Sequence, residues 1–182
     1  SWSGKSELRT LTKSEWVGGS PALVGDALLC GFYLNELLVK FLAREDAYEV
    51  LYDQYAQTIY ALSQIIDSGA NIEQTLRPFE LALLRETGYA AALDHCVETQ
   101  TKPIATERYV YQPEKGIRPL QSDDPGHWPV LTGFALEAMA KGDFSDMETL
   151  SQSKQLMRFL LGIHLQDQVL TTRQILIDLK KI

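Results

Sequence analysis

The sequence of 182 residues has only two cysteines and three histidines. Cys30 and Cys96 are too few for a disulfide framework, so a reducing cytoplasm is the expected compartment. Basic residues are also scarce, with 17 Lys and Arg against 24 Asp and Glu and a formal net charge of −7. Because non-specific nucleic-acid affinity comes from basic charge, this balance argues against strong phosphate binding by this chain alone.

Long hydrophobic runs are absent as well, and none approaches the roughly 20 residues that a membrane helix requires. The most apolar stretch, from Ala22 to Ala43, is interrupted by charged residues and predicts a buried amphipathic helix. Residues 1–6 have neither a basic nor an apolar region and do not resemble a signal peptide. We therefore expect no membrane partner, and the opening residues suggest a fragment whose earlier part is missing.

Motifs for metal binding or catalysis are equally scarce. His95-Cys96 is the best metal candidate, but no second pair of ligands follows at zinc spacing, and we predict no metal and no cofactor. No Ser-His-Asp elbow occurs, and the carboxylates form no recognisable acid/base pair. We expect a binding protein rather than an enzyme, although an enzyme with an unrecognised site stays open.

The chain does have helical periodicity. Apolar residues at three- and four-residue steps predict helices over 21–43, 47–66, 133–141 and 146–164. Ser20, Asp46, Thr132 and Ser145 are the candidate N-caps of these helices. Asn71 could cap a further helix that ends before Gly88, but Pro78 predicts either a late start or a kink in it.

Between these helices, residues 93–120 predict a β-hairpin excursion. Strands at 107–111 and 117–120 flank a turn at Pro113 to Gly116. The fold class is thus mainly α, a bundle-like helical domain with a small hairpin. Basic residues gather in this region beside Tyr109 and Tyr111, a combination that suits single-stranded nucleic acid, although a solvated hairpin with both tyrosines packed on the helices explains it as well. The candidate nucleic-acid-binding residues are Lys102, Arg108, Lys115, Arg118 and, near the end of the chain, Arg173.

The segment from Glu7 to Val17 predicts one strand, which would need a sheet from outside the fragment. A breaker cluster at 18–21 follows it. We therefore predict two parts. Residues 1–19 are the end of a missing domain with its linker, and residues 20–182 form the helical domain.

Several strings, in this order and spacing, resemble the RecO family of bacterial recombination mediators. They are Gly31 to Leu38, Leu76 to Leu84, Gly88-Tyr89 and Asp94 to Cys96. The resemblance covers essentially the whole chain, and it makes the opening segment similar to the closing strand of the family's OB domain. Some members carry a four-cysteine zinc site in the hairpin region, whereas this sequence keeps only Cys96 there and resembles the metal-free branch.

The resemblance implies a bacterial, nucleoid-associated role in DNA repair and homologous recombination. Members of the family bind single- and double-stranded DNA, anneal strands and load the recombinase together with RecR. The acidic, Phe-ended tail of single-strand-binding protein docks on their helical domain. Arg77 lies where the family motif puts a cation, so we expect it to clamp the terminal carboxylate of that tail. A helical scaffold that binds only protein is the alternative.

Overall fold

The computed structural model describes residues 1–5, 10–15, 22–90, 92–165, 169–172 and 174–175. Its described strands are β1 (Trp2–Ser3), β2 (Thr10–Leu11), β3 (Arg108–Gln112), β4 (Gly116–Pro119) and β5 (Val130–Thr132). Its described helices are α1 (Gly25–Phe41), α2 (Glu49–Ser63), α3 (Ile65–Ser68), α4 (Ile72–Glu86), α5 (Gly133–Ala140) and α6 (Met147–Leu165). The predicted class, mainly α with a small β part, is confirmed.

The core lies where the helices pack on one another. Helix α4 is central, because α1, α2 and α6 all pack against it, and α5 packs on α6. Leu34 and Leu37 of α1, Phe79 of α4 and Leu156 of α6 are fully buried in one apolar cluster. The periodic stripes of the sequence therefore identify the faces that meet in the core.

Helices α1 and α2 both begin later than predicted. The predicted start at Pro21 and its Ser20 cap lie outside the described residues, and α1 begins at Gly25, whose positive φ of 55° favours glycine as the chain turns into the helix. Asp46 does not cap α2, because its Oδ1 accepts a hydrogen bond from the adjacent Ala47 N. Gly69, with a φ of 64°, ends α3, as the breaker sequence after α2 predicts.

Helix α4 runs without interruption through Pro78, so the predicted late start is wrong. The Asn71 side chain accepts a hydrogen bond of 2.8 Å from Glu73 N, which confirms the predicted cap. Proline lacks the N–H that would bond to the carbonyl of Gln74, and this loss is confined to one turn. Buried apolar residues on either side of Pro78, including Leu76 and Phe79, keep the helix intact by packing.

The predicted hairpin is confirmed, and a third strand extends it. Strand β3 pairs antiparallel with β4, with Tyr111 opposite Ile117, and pairs on its other edge with β5, with Tyr109 opposite Leu131. Val110 is buried like its two tyrosine neighbours, so β3 is covered on both faces. The sequence reasoning missed β5 because three residues after a proline are too short to show a strand period.

Two further predictions about element ends are settled by hydrogen bonds. Thr132 caps α5, since its hydroxyl oxygen accepts from Ala135 N at 3.3 Å. Ser145 does not cap α6, because Asp146 Oδ2 accepts from Thr149 N at 2.8 Å and takes that role.

The opening strand was expected to have no partner in this chain, and that expectation is wrong. Thr10–Leu11 pairs antiparallel with Trp2–Ser3. Both strands are exposed. Residues 6–9 and 16–21, including the predicted breaker cluster, lie outside the described residues. Across the residues that are described, no helix combines the length and apolar character needed to span a membrane.

Candidate peptide-binding groove

A groove of about 590 Å³ lies between α1, α4 and α6, and residues 169 and 170 close one side. Its apolar lining comes from α4, from α6 and from the segment that follows α6: Ile72, Leu76, Met157, Leu161, Leu165 and Leu170. A concave apolar surface with a few polar groups is the usual form of a ligand site. We refer to this cavity as the groove.

The polar centre of the groove is a buried ion pair on α4. Arg77 and Glu80 are 7% and 1% exposed, and Arg77 Nη1 lies 2.7 Å from Glu80 Oε2. From α1, the Tyr33 hydroxyl donates a hydrogen bond of 2.7 Å to Glu80 Oε1. Arg77 Nε also reaches the carbonyl oxygen of Glu73 at 3.4 Å. The pair therefore ties α1 to α4 at the groove wall.

Burial dominates the electrostatics of this pair. It raises the pKa of the Glu80 carboxyl, because desolvation disfavours the charged form more than Arg77 and Tyr33 favour it. Burial, with the nearby Glu80 carboxylate, also raises the pKa of Tyr33 well above its ordinary value. The Cys30 thiol, which lines the groove, has its pKa raised to about 11, first by burial and then by Asp26 and Glu80. Cys30 is thus a protonated wall residue.

Helix α6 brings two further cations to the groove, Lys154 and Arg158, one turn apart. Lys154 Nζ is bonded to Glu73 Oε1 of α4, so its charge is matched. Arg158 is exposed and makes no ion pair within the described part of the chain, although its charge acts on the Glu80 carboxyl. Asp26, on α1, is the groove carboxylate that makes no ion pair with a described residue.

Arg77 therefore lies in the groove wall, as its proposed role requires, but it is neither exposed nor unpaired. The alternative reading of Arg77 as a solvent-exposed residue at a helix start is wrong, because the residue is buried in mid-helix. The sequence reasoning missed Arg158. Arg158 follows Lys154 by four residues, which places both cations on one face of the predicted helix, so the sequence could have indicated it.

The basic residues of the hairpin region do not form one accessible surface. Lys102, Arg108 and Lys115 are exposed. Arg118 is buried, and its guanidinium makes a two-pronged pair with Asp124, with Nη1 3.1 Å from Oδ2 and Nη2 on Oδ1. Arg118 Nε also donates to Gln112 Oε1 at 3.1 Å. The predicted contact of Arg118 with phosphate is therefore wrong, since its guanidinium N–H groups already hold the sheet to the following loop.

The two tyrosines beside these residues are not available for base stacking. Tyr109 is 3% and Tyr111 2% exposed. The Tyr109 hydroxyl accepts a hydrogen bond from Ile104 N at 2.8 Å, which satisfies its polar end inside the fold. The stacking role of these tyrosines is therefore wrong, and the alternative, in which both tyrosines are packed inside the fold, is confirmed. Arg173, the last predicted contact, lies outside the described residues.

The histidines do not converge on a site. His95 hydrogen bonds to the neighbouring Asp94, with Nδ1 2.9 Å from Oδ1, and His164 stacks on Tyr89 with ring centroids 3.8 Å apart. Cys96 is buried as a free thiol. Within the described ranges, no group of three or more His, Cys, Asp or Glu side chains could hold a metal ion.

The structure defines a mainly helical domain with an apolar groove, and comparison with known proteins identifies its family. The family described as "Recombination protein O C terminal" matches residues 23–169. DNA repair protein RecO of Polynucleobacter necessarius subsp. necessarius (strain STIR1) is 77% identical over 182 residues, covering 100% of this chain and 75% of that protein. RecO of Ralstonia nicotianae is 52% identical over 183 residues, covering 100% of this chain and 65% of that protein.

The chain belongs to the RecO family. The resemblance drawn from the helix motifs is therefore confirmed, and the chain has a role in DNA repair and recombination.

Proposed function

We propose that the groove captures the acidic, Phe-ended C-terminal tail of single-strand-binding protein and so brings this RecO-family chain to single-stranded DNA. The observation that carries the proposal is an apolar groove with cationic side chains on two of its walls. The terminal phenylalanine is the natural occupant of the apolar floor at Leu76 and Leu161. Arg77 remains a proposed contact in the wall, beside Glu80.

The remaining steps follow from family membership and are proposals for this chain. It acts with RecR, binds single- and double-stranded DNA, anneals complementary strands and promotes recombinase loading without catalytic residues of its own. Residues 1–19 are the end of an OB domain and its linker, and residues 20–182 are the docking domain. We place the protein in the bacterial cytoplasm, near the nucleoid.

Among the predicted DNA contacts that lie in the described part of the chain, Lys102, Arg108 and Lys115 are exposed and remain proposed contacts, as does Arg173, which lies outside it. The burial of Tyr109, Tyr111 and Arg118 favours the second candidate function, a helical scaffold that binds protein and leaves DNA to other parts of the assembly. A steep fall in the affinity for single-stranded DNA with rising salt concentration would favour the DNA-binding function over the scaffold, because each phosphate contact releases counterions.

A blocking variant tests the docking. Gly162 of α6 lines the groove, and a Cβ added there meets no atom within 4 Å, so Gly162→Leu is expected to place an apolar side chain at the groove without a clash at its Cβ. Fluorescence anisotropy with a labelled acidic, Phe-ended peptide should show at least about a tenfold weaker affinity, the equivalent of losing one buried apolar side chain.

Ser151→Leu is the matched control, since Ser151 is exposed on the same helix and does not line the groove. This variant should bind the peptide like the unmodified chain. Equal affinity of Gly162→Leu and the unmodified chain would place the peptide elsewhere.

A further inference from the structure

We propose that Phe134 of α5 is a stacking platform for a base of single-stranded DNA, with Lys102 and Arg108 nearby to hold the phosphates. The inference rests on the DNA contact proposed above, because it uses the same two basic residues. It adds the exposed aromatic side chain that this contact otherwise lacks, since Tyr109 and Tyr111 are buried.

Phe134 is exposed beside buried neighbours. It is 50% exposed, whereas Ala135 and Leu136, the next two residues of α5, are fully buried. Ile104, in the loop that α5 packs on, is 55% exposed. The two side chains lie on adjoining pieces of backbone, because Phe134 N donates a hydrogen bond of 3.1 Å to the carbonyl oxygen of Ala105. An aromatic ring beside a second exposed apolar side chain is a surface suited to contact with a partner.

The backbone that carries Phe134 is fixed by hydrogen bonds on both sides. Gly133 N donates to the carbonyl oxygen of Glu107 at 2.9 Å, and the Thr132 hydroxyl oxygen accepts from Ala135 N at 3.3 Å. A ring on such a rigid backbone loses little freedom when a base stacks on it, which lowers the entropic cost of binding.

Arg108 of β3 brings a positive charge close to Phe134. In the pairing of β3 with β5, Arg108 lies opposite Thr132, two residues before Phe134. Its side chain is exposed and makes no ion pair with the residues that the structure describes. A phosphate that binds there therefore displaces no carboxylate from the guanidinium.

Lys102 brings a second positive charge, from the loop on which α5 packs. The pKa of Glu137, one turn after Phe134, is lowered first by a hydrogen bond from Lys141 and also by the charge of Lys102, which places Lys102 near α5. Glu137 is already paired with Lys141 at 2.7 Å. Lys102 is exposed and forms no ion pair across the described ranges, so its ammonium group is available to a phosphate.

This combination fits a single strand better than a duplex. The bases of a single strand have free faces that stack on an aromatic ring, whereas the bases of a duplex are stacked on one another. The chain as a whole has a formal net charge of −7, which repels phosphates, so two cations alone would give little affinity. Stacking on Phe134 adds a contribution to binding that does not depend on charge.

A two-by-two experiment isolates the contact between Phe134 and a base. Two labelled oligonucleotides of equal length, about 12 nucleotides, carry thymine at every position or are abasic throughout, and each is titrated into the unmodified chain and into Phe134→Ala at low salt. The unmodified chain should bind the thymine strand at least about fivefold more tightly, the lower end of the range for one base–aromatic stack. Phe134→Ala should bind both strands with the same affinity, because the two changes remove one interaction.

Three further variants define the contact. Phe134→Tyr should keep the preference for the thymine strand, because it keeps an aromatic ring. Arg108→Gln should weaken the binding of both strands and reduce the slope of log affinity against log salt by about 0.7, the value for one phosphate of a single strand. Phe32→Ala is the matched control, since Phe32 is 51% exposed but lies on α1, and it should retain the full preference.

Thermal melts check that each variant is folded. A preference for the thymine strand that survives in Phe134→Ala would overturn the stacking role and leave the DNA contact intact. Equal binding of the two strands by the unmodified chain would do the same. Failure of both strands to bind the unmodified chain at low salt would overturn the DNA contact and the stacking role together.

Discussion

At the scale of single residues, the pair of Arg77 and Glu80 changes what the groove can do. The resemblance to the RecO family implies that Arg77 clamps a peptide carboxylate, and the structure places it 2.7 Å from a nearly fully buried carboxylate of the chain itself. A buried pair of this kind costs desolvation free energy, so its value lies in orienting the groups around it. Tyr33 and Glu80 connect α1 to α4, and they keep the groove walls at a fixed separation.

The raised pKa of Glu80 predicts a specific pH dependence of stability. Its pKa in the folded chain lies above the ordinary value of 4.5, so folding takes up a proton between these values. The contribution of Glu80 to stability is therefore fully present below about pH 4.5 and is lost as pH rises through the folded pKa. Relative to Glu80→Gln, the unmodified chain should become less stable as pH rises over this window.

Urea unfolding of both proteins between pH 4 and pH 8 measures this difference. Carboxyl groups with lowered pKa values are the same in both proteins, so their contributions to stability cancel in the comparison. Those contributions are lost as pH falls, and not as it rises. For example, burial works to raise the pKa of Glu36, but hydrogen bonds from Thr172 and Thr171 outweigh it. A stability difference that stays constant, or that moves in favour of the unmodified chain as pH rises, would show that Glu80 is not desolvated.

Residue partners could be predicted from sequence only when they are local. Asn71 and Thr132 cap helices through the next turn, and both were predicted from residue type and position. Arg118 was misjudged because its partner, Asp124, lies six residues further on, in the loop after β4, where pairing has no fixed spacing of the kind that a helix cap has. Burial of Arg77 depends on α1 and α6 covering it, and composition does not show that.

At the level of helices and strands, tertiary packing overrides the local sequence preferences in α4 and in the sheet. Pro78 predicts a late start or a kink in this helix, yet buried side chains before and after it hold one continuous helix of 15 residues. The sequence predicts β3 only as one strand of a hairpin, yet it is paired on both edges and Tyr109, Val110 and Tyr111 are all buried. Each miss occurs where a distant segment supplies the stabilising contacts.

The start of α5 offers an element-scale test, because it packs tightly on the loop before β3. A Cβ on Gly133 would lie 2.0 Å from the Ile104 carbonyl oxygen and 2.5 Å from its carbon. Since both atoms are backbone, Gly133→Ala should force the loop away and lower the free energy of unfolding by about 1–3 kcal/mol. Urea unfolding measures the change.

Gly162→Ala is the matched control in α6, where an added Cβ meets nothing within 4 Å. It should raise the free energy of unfolding by about 0.5–1 kcal/mol, because alanine is the better helix former. Equal effects of the two substitutions would mean that the loop and α5 are not in contact.

At the scale of the whole molecule, the groove is assembled from segments that are separate in sequence. Residues 26–33, 72–80, 154–165 and 169–170 all contribute to it. Glu36 of α1 accepts backbone hydrogen bonds of 2.8 and 2.9 Å from Thr171 and Thr172, which holds the segment after α6 beside the groove. Motif reasoning found the family and the α4 wall, but only the packed structure brings α6 and Arg158 to the same cavity.

The groove between α1, α4 and α6 is proposed to bind the end of an acidic peptide. A titration of the isotope-labelled chain with an acidic, Phe-ended peptide, followed by amide chemical shifts in two-dimensional NMR, tests this binding. We expect the largest shifts to cluster at Leu76, Leu161 and Leu170, around the groove. Shifts that cluster on β3 and β4, or on the outer face of α2, would contradict it.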